Sequence, residues 1–564
     1  MVIALLITVG IAYGQTSKLS ADLQNLPAGN SPNVIVQYNQ VPTQQHFNQV
    51  RALGGSLTKQ LGTFKGAVFS VPAASLQDLA NDPDVTYVSP DRPLSPASVV
   101  WGGGSTTTDF YDQAVNAPYA WSSGENGSGI GVAVIDSGIN SLNDISGRVA
   151  YSQNFDSSAS TTNDLYGHGS HVAGIIGGNG ASSNCSYCFI TFKGIAPNVN
   201  LINLRVLDQN GTATDSEVIQ AIQTAISLKS KYNIRVVNLS LGRPVYESYT
   251  QDPLDQAVEQ AWQNGIVVVA AAGNDGRDNS AGTSGYGTIT APGNDPYVIT
   301  VGAMKPMSTA TRTDDLIATY SSKGPTLFDH IIKPDIVAPG NLVISLLAST
   351  SSTLYTEYPG NAVPQSYYDT YPGSTLSYYQ LSGTSMSTAV VSGAVALMLQ
   401  KTPSLTPDQV KARMMKSAYK TFPTSSSWTD PTTGITYTDQ YDIFTVGAGY
   451  LDIQAALSST DLAPSTTGIA MSPAAAVDSS GNVYIVTGSS VLWGGSVMWG
   501  TSVVWGTSVI WGNVSGESVL WGDSVCWGSS TTQGYSVLWG GSVIWGDSAT
   551  ESGESTVIAI NGEK

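Results

Sequence analysis

The chain has 564 residues, of which only 11% are charged, and its formal net charge is −18. This length leaves room for several domains, and solubility has to rest mainly on Ser, Thr, Asn, Gln and Gly. The acidic balance argues against nucleic acid or an anionic lipid surface as a partner.

The first residues are typical of an export signal. MVIALLITVGIAYGQ is apolar, and the small residues Ala12 and Gly14 suit signal-peptide cleavage before Gln15. The usual basic opening segment is missing, which fits a translation start upstream of Met1. The run is too short to span a bilayer, and no later segment reaches that length without polar interruption. We therefore expect a secreted, extracellular protein with a signal peptide at residues 1–14 and no membrane span.

Residues 33–92 predict a small α+β domain. Strands are expected at VIVQY, AVFSVP and VTYVSPD, and helices at PTQQHFNQVRALGG and AASLQDLANDP. Paired glycines end the first of these helices.

The central region alternates apolar runs with amphipathic stretches. Predicted strands are GVAVID, NLINLRVL, RVVNLSL, IVVVAAAG and YVITVGA; predicted helices are SEVIQAIQTAISLKSKY, DPLDQAVEQAWQNG and the stretch after Ser385. Near-continuous Val, Ile and Leu runs are typical of strands buried on both faces, so we predict an α/β domain with a parallel sheet flanked by helices. Sites in such sheets form beyond the carboxyl ends of the strands, where Asp136 and Asn274 stand.

The C-terminal region is repetitive. After a linker at Thr460 to Pro473 comes the hairpin-like AVDSSGNVYIVTG, and then SVxWG recurs with tryptophans at Trp493, Trp499, Trp505, Trp511, Trp521, Trp527, Trp539 and Trp545. An even period in an extended chain keeps these side chains on one side, which predicts a β-rich repeat tail. The favoured interpretation is a structural or tethering module. Binding of sugar or cell wall by exposed tryptophan faces is the alternative.

A further copy, SVVWG, stands at Ser98 to Gly102. Two hypotheses follow: this copy docks on the tail as one more rung, or it marks sequence that the protein itself cleaves.

Three cysteines do not form a disulfide scaffold. Cys185 and Cys188 make a CxxC, and we favour a local disulfide over free thiols. A four-thiolate zinc site lacks ligands, and the strand–helix context of a redox site is missing. Cys526 is left over.

Three segments suggest nucleophilic catalysis: VIDSG around Asp136, HGSHVAG around His168 and GTSMSTA around Ser385. A serine nucleophile needs a base within hydrogen-bond reach and a third group to orient that base. Singly, each residue has a plainer interpretation, since an aspartate at a strand end caps turns and a serine before a helix is an N-cap. His168 and His171 with Asp136 or Asp164 would instead suit a metallohydrolase, although HExxH is absent.

VVNLSLG, VVVAAAGN and KPDIVAPG follow in the same order, and over residues 105–457 the chain resembles a subtilisin-like serine peptidase. The resemblance implies that Ser385 attacks a peptide carbonyl to form an acyl-enzyme, His168 transfers the proton, Asp136 orients His168, and Asn274 donates to the oxyanion. It implies protein or peptide substrates and no cofactor for the chemistry.

The resemblance also implies a substrate groove. Leu241 and Gly242 match the edge that pairs with substrate backbone. Asp275 follows the oxyanion asparagine, where an acidic rim would favour basic side chains, and Thr290 falls where glycine often lines the pocket floor. Together they predict moderate breadth rather than a sharp preference.

Residues 15–97 resemble the inhibitory propeptide of these enzymes, a ferredoxin-like domain, with processing expected between Leu94 and Gly104. The peptidase domain is then 98–459, and 460–564 are linker and repeat tail. Many relatives hold calcium in an Asn-rich loop after the histidine helix. Here that loop carries the CxxC, so structural calcium is doubtful. The rival in another functional class is a catalytically idle fold that carries a binding or scaffold tail.

Overall fold

The computed structural model describes residues 17–97, 110–431, 433–477, 483–486, 498–499, 502–503 and 563. The chain divides into two compact units, Met1–Asp91 and Arg92–Lys564. The predicted signal peptide, the Ser98–Gly102 copy, Cys526 and most SVxWG repeats lie outside the described residues.

The first unit is a four-stranded antiparallel sheet with two helices. Its elements are β1 (Asn33–Tyr38), α1 (Gln44–Ala52), β2 (Ser56–Gln60), β3 (Gly66–Ser70), α2 (Leu76–Ala80) and β4 (Val85–Pro90). The strands stand in the order β2-β3-β1-β4. The core cluster of this unit includes residues from both helices and from the sheet, among them Val34, Val36, Phe69 and Leu79. Each strand and helix predicted for this region is present.

Strand β2 was not predicted from the sequence. Its residues SLTKQ form the edge of the sheet, and four of the five are exposed. An edge strand with little buried surface needs no apolar run or clear alternation, so the pattern that identifies buried strands is missing there.

The second unit begins with β5 (Pro93–Pro96). Its helices are α3 (Tyr111–Ala114), α4 (Ala117–Ser122), α5 (His168–Gly177), α6 (Asp215–Tyr232), α7 (Pro253–Gln263), α8 (Thr353–Glu357), α9 (Thr384–Lys401), α10 (Pro407–Ser417) and α11 (Ile453–Ser458). Its next strands are β6 (Gly131–Asp136), β7 (Val149–Asn154), β8 (Asn200–Arg205), β9 (Ala213–Thr214), β10 (Ile234–Leu239), β11 (Leu241–Gly242), β12 (Val267–Ala271), β13 (Ile299–Lys305), β14 (Leu316–Ile317), β15 (Ile336–Pro339), β16 (Val343–Leu346), β17 (Ala362–Val363) and β18 (Tyr378–Leu381).

The main sheet has the order β14-β13-β12-β10-β6-β8-β7, with β15 also paired to β13. All its pairs are parallel except β13–β14. Helices α5 and α9 pack on each other and on the sheet, and so do α6 and α7. The predicted parallel sheet flanked by helices is therefore confirmed.

Burial explains why these elements could be recognised. Every residue of β6 and β12 is buried, which accounts for runs of Val, Ile and Ala without polar alternation. Helix α9 is buried from Thr384 to Leu399, and a helix surrounded by protein is apolar on all sides.

Short strands complete the unit. β5 lies between β11 and β9 in a three-stranded sheet, and β16, β18 and β17 form another. β19 (Ser425–Thr429) pairs with β20 (Thr436–Gln440). The predicted hairpin of the tail is present as β21 (Ala474–Val477) and β22 (Val483–Val486), and β23 (Met498–Trp499) pairs with β24 (Ser502–Val503).

Glu563, far along the tail, contacts the core of the second unit. Its carboxylate lies 3.0 Å from Arg277 Nη2 and 3.4 Å from Lys305 Nζ, and it accepts from Thr319 N at 2.7 Å. The backbone of Glu563 exchanges two hydrogen bonds of 2.8 Å with the side chain of Asn341. The Glu563 side chain is fully buried.

In the part of the chain that the structure describes, no helix has both the length and the hydropathy needed to cross a membrane.

Candidate active site

Three neighbouring parallel strands end in the polar residues that build the site. Ile135, Leu239 and Ala270 lie side by side on β6, β10 and β12. The chain continues from these strands to Asp136, Ser240 and Asn274. Because parallel strands present their carboxyl ends at one edge of the sheet, the three polar groups are gathered there.

Asp136 and His168 form a direct pair. His168 Nδ1 donates to Asp136 Oδ1 at 2.8 Å, and the same oxygen accepts from Ser137 N at 2.7 Å. Both side chains are almost fully buried. This bond fixes the imidazole so that Nε2 is free to accept a proton, the arrangement a general base requires.

The helix that carries His168 is held close to the end of β6. Gly169 N donates to Ser137 Oγ at 2.9 Å. A Cβ at Gly169 would approach Gly138 O to 2.3 Å, so no larger residue fits there. Asp164 accepts from Ser137 Oγ, Gly167 N and Ser170 N, and burial raises its pKa despite these three donors.

Ser385 is the second residue of α9 and is fully buried. The preceding Gly383 has φ of 143°, a conformation that favours glycine and turns the chain sharply into the helix. Ser385 Oγ donates to Ser240 O at 2.9 Å, and Ser240 Oγ donates back to Ser385 O at 2.9 Å. His168 Nε2 has no hydrogen-bond partner among the described residues, so no Ser385–His168 hydrogen bond is formed in this structure.

Asn274 is oriented by the residue before Ser385. Its Oδ1 accepts from Thr384 N at 3.0 Å and from Thr384 Oγ1 at 3.1 Å. The carbonyl end of the amide is thereby occupied, which leaves the Nδ2 hydrogens to serve as donors. Thr384 and Ser240 were not singled out from the sequence. The sequence feature that could have identified them is their position inside the motifs GTSMSTA and VVNLSLG.

The groove beside these residues is filled by the chain itself. Leu241 pairs with Pro96 and Gly242 with Ser95 in antiparallel register, while Leu94 pairs with Ala213 on the other side. Ala97 N donates to Ser240 O at 3.1 Å, and Ser385 N donates to Ala97 O at 3.2 Å. The carbonyl of Ala97 therefore lies at the N-terminus of α9, against the backbone N–H of Ser385.

Thr290 lies in a loop near Gly242, and Asp275 follows Asn274 in the loop after β12. A Cβ at Gly242 would come within 2.7 Å of Thr290 Oγ1, and one at Gly273 within 2.8 Å of Thr290 Cγ2. Thr290 thus fills the space between the two glycines. Asp275 N donates to Ser322 Oγ at 3.0 Å, and burial raises the pKa of its carboxyl to about 6.

His171 does not join His168 in a metal site. Its Nε2 faces the carbonyl oxygens of Val343 at 3.2 Å and Tyr379 at 3.1 Å. Burial lowers the pKa of His171 to about 3. Over the described ranges, the only cluster of three His, Cys, Asp or Glu ligand atoms is Cys185, Cys188 and Asp369.

Cys185 and Cys188 are joined in a disulfide, and disulfide sulfurs are not thiolate ligands. Two acceptor side chains near this loop are bonded to protein donors. Asp144 accepts from Ser182 N at 2.7 Å and from Tyr378 OH at 2.7 Å. Asn179 Oδ1 accepts from Ala181 N at 3.0 Å.

A profile of the subtilase family matches residues 127–449, more than half of the chain. The chain belongs to the subtilase family. Serine protease AprX of Bacillus subtilis (strain 168) is 38% identical over 297 residues, which are 50% of this subtilase and 60% of AprX. Subtilisin E of the same strain is 33% identical over 368 residues, 65% of this chain and 78% of subtilisin E. This family is that of the subtilisin-like serine peptidases, which are hydrolases.

Among solved structures, fervidolysin from Fervidobacterium pennivorans, a keratinolytic enzyme related to subtilisin, matches with a TM-score of 0.56 and 21% identity. The match covers 80% of this subtilase and 63% of fervidolysin. At 21% identity, this structural similarity supports the fold alone. The chain thus spans less than two thirds of AprX and of fervidolysin.

Proposed function

We propose that this subtilase is a secreted serine endopeptidase made as a self-processing zymogen, with residues 15–97 as its inhibitory propeptide. Asp136, His168 and Ser385 are its catalytic residues, and Asn274 is an oxyanion donor. Its substrates are proteins or peptides. Binding of sugar or cell wall by the tail stays a prediction, because nearly all SVxWG repeats lie outside the described residues.

In the proposed reaction, Ser385 Oγ attacks the carbonyl carbon of the scissile bond while His168 Nε2 takes its proton. The tetrahedral intermediate collapses, the C–N bond breaks, and His168 returns the proton to the leaving amine. Water then attacks the acyl-enzyme by the same route and frees Ser385. Asp136 stabilises the imidazolium through the 2.8 Å bond to Nδ1.

Two donors are suited to the charge that develops on the carbonyl oxygen. One is the backbone N–H of Ser385, whose position in the first turn of α9 adds the positive end of the helix dipole. The other is Asn274 Nδ2, because Thr384 holds the opposite end of that amide at 3.0 Å and 3.1 Å.

The observation that carries the proposal is the position of Ala97. Its carbonyl accepts from Ser385 N at 3.2 Å while its N–H donates to Ser240 O at 3.1 Å. A substrate residue on the amino side of the cleaved bond needs both contacts, one to orient the backbone and one to polarise the carbonyl. We therefore assign the processed bond to Ala97–Ser98, within the stretch from Leu94 to Gly104 expected from the sequence.

The pocket for the residue before the cleaved bond is proposed to be shallow. The Thr290 side chain occupies space between Gly242 and Gly273, which suits a small residue such as Ala97. Asp275 would add a preference for basic side chains where its carboxyl is ionised.

Labelling with a fluorophosphonate tests the function directly. Secreted full-length protein and its Ser385→Ala variant are incubated with the probe, and casein hydrolysis is measured with and without a chelator. We expect the wild type to be labelled and to hydrolyse casein, and the variant to do neither. Inhibition by the chelator alone would point to a metallohydrolase. Processed protein that is neither labelled nor active would favour the idle scaffold.

A further inference from the structure

A second contact of the segment that fills the groove lies at Arg92. Its guanidinium makes a two-pronged pair with Glu247, with Nη1–Oε1 at 2.6 Å and Nη2–Oε2 at 2.7 Å. The side chains of both residues are about 95% buried. Such parallel hydrogen bonds between a guanidinium and a carboxylate are specific in geometry as well as in charge.

The groups around Arg92 suit a guanidinium side chain. Arg92 Cζ stands 4.6 Å from the ring centroid of Tyr246, a cation–π contact. Asp215 N donates to Arg92 O at 2.9 Å, which fixes the backbone of the same residue. Three contacts therefore fix the position of Arg92: the ion pair with Glu247, the cation–π contact with Tyr246 and the backbone hydrogen bond from Asp215.

The charge balance of the site depends on Arg92. The neighbouring cation Arg243 is committed to two other carboxylates, with 2.8 Å bonds to Asp215 and to both oxygens of Asp252. Together with Glu247 there are three buried acidic groups around Arg243. Departure of Arg92 removes the cation that pairs directly with Glu247 and leaves this carboxylate beside Asp252, which favours the entry of another cation.

Burial and the charge of Asp252 raise the pKa of Glu247, while Arg92 opposes this rise. An arriving guanidinium therefore gains a charge interaction by favouring the ionised form of Glu247. A neutral side chain offers no such gain.

We propose that Glu247 and Tyr246 form a substrate subsite that selects arginine at the sixth residue before the cleaved bond. This inference rests on the proposed function and on cleavage after Ala97, since Arg92 is the sixth residue counted back from that bond. The propeptide occupies the subsite first, and substrates of the mature enzyme occupy it after processing. Glu247 acts here in substrate selection and takes no part in the bond-breaking step.

The test uses the mature wild-type enzyme and internally quenched peptides that copy residues 92–101, Arg-Pro-Leu-Ser-Pro-Ala-Ser-Val-Val-Trp. The arginine is kept or replaced by citrulline, which has nearly the same shape without the charge, or by lysine. We expect kcat/KM for the arginine peptide to exceed that for the citrulline peptide by about 10- to 100-fold. Lysine should fall between them, because it lacks the fork that matches a carboxylate.

The Glu247→Gln variant should bring the arginine-to-citrulline ratio of kcat/KM close to 1. Glu357→Gln, at an exposed glutamate of α8, is the matched control and should keep the wild-type ratio. Should Glu247→Gln fail to fold, the three peptides on the wild type still decide the matter.

Equal cleavage of the arginine and citrulline peptides by the wild type would overturn the subsite and leave the peptidase function intact. A wild-type preference that persists in folded Glu247→Gln would overturn the assignment to Glu247. Failure to cleave any peptide, together with absent fluorophosphonate labelling, would instead reject the proposed function itself.

Discussion

The backbone N–H of Ser385 donates a 3.2 Å hydrogen bond to the carbonyl oxygen of Ala97. The two residues are far apart in sequence, and the bond links the start of helix α9 to the end of the segment in the groove. Ser240 O accepts from Ala97 N at 3.1 Å and from Ser385 Oγ at 2.9 Å. In the proposed reaction, this one carbonyl aligns both the attacked residue and the attacking hydroxyl.

The first prediction concerns the processed bond. N-terminal sequencing and intact mass of the secreted protein should give a mature chain that begins at Ser98, while the Ser385→Ala chain should stay joined at that bond. Ala97→Pro should slow processing at least about fivefold, because proline lacks the N–H that donates to Ser240 O. Ala97→Gly keeps this donor and is the matched control.

A mature N-terminus beyond Gly102 would contradict this assignment. It would also exclude docking of the Ser98–Gly102 repeat on the tail of the mature enzyme. A tail that stays intact in the active form would exclude the alternative, in which the SVxWG copies are processing sites.

The second prediction concerns Asn274. Replacing it with alanine should lower kcat by about 10²- to 10³-fold with little change in KM, since the lost donor acts on the transition state. This range was measured for such an asparagine in subtilisin, itself a member of this family. Asn264→Ala, at an exposed position in the described structure, is the control. A fall in kcat of less than about threefold for Asn274→Ala would argue against the oxyanion role.

Much of the fold could be predicted because its signals are local. Strands β6, β10 and β12 are buried on both faces, so their Val and Ile runs stand out in the sequence. The positions of Asp136 and Asn274 after such runs then placed both at the carboxyl edge of a parallel sheet.

The contacts that could not be predicted join residues that are far apart in the sequence. Arg92 and Glu247 are 155 residues apart, and no spacing rule links them. The same holds for Ser240 and Ser385, which are 145 residues apart. Their pairing follows from the way β5 and α9 pack, which is a property of the whole unit. Strand β2 was missed for another reason, because its exposed edge carries no apolar pattern.

The third prediction concerns Asp275 and pH. Burial raises the pKa of this carboxyl from 3.8 to about 6, so the unfolded chain loses its proton at a lower pH than the folded one. Between about pH 4 and pH 6 the folded state binds more protons, and its stability falls as pH rises. Asp275→Asn removes this loss. Its Tm should match that of the wild type near pH 4 and exceed it at pH 8.

The melting experiment is best done in a Ser385→Ala background, which prevents self-digestion. A difference in Tm between the Asp275→Asn variant and the protein with Asp275 that does not change with pH would contradict the prediction.

The same titration bears on substrate specificity. If Asp275 faces the substrate, the preference for lysine over glutamine before the cleaved bond should increase as pH rises through about 6. Asp275→Asn should abolish that increase.

The last prediction concerns the contact between the tail and the second unit. Glu563 is the carboxylate shared by Arg277 at 3.0 Å and Lys305 at 3.4 Å. Arg277 also lies over the rings of Trp428 and Tyr437, with its Cζ 4.6 Å and 4.5 Å from the ring centroids. Glu563→Gln keeps the shape of the side chain and removes its charge, which leaves two buried cations with less compensation.

Loss of one partner from a buried ion pair costs about 3–5 kcal/mol, so Glu563→Gln should lower the free energy of unfolding by an amount of that order. Urea unfolding in the Ser385→Ala background measures it, with Glu357→Gln as the exposed control. In a double-mutant cycle with Lys305→Met, the two losses should not add, because each variant removes the same charge pair. Additive losses, or equal stability of Glu563→Gln and Glu357→Gln, would mean that the tail is not held through this carboxylate.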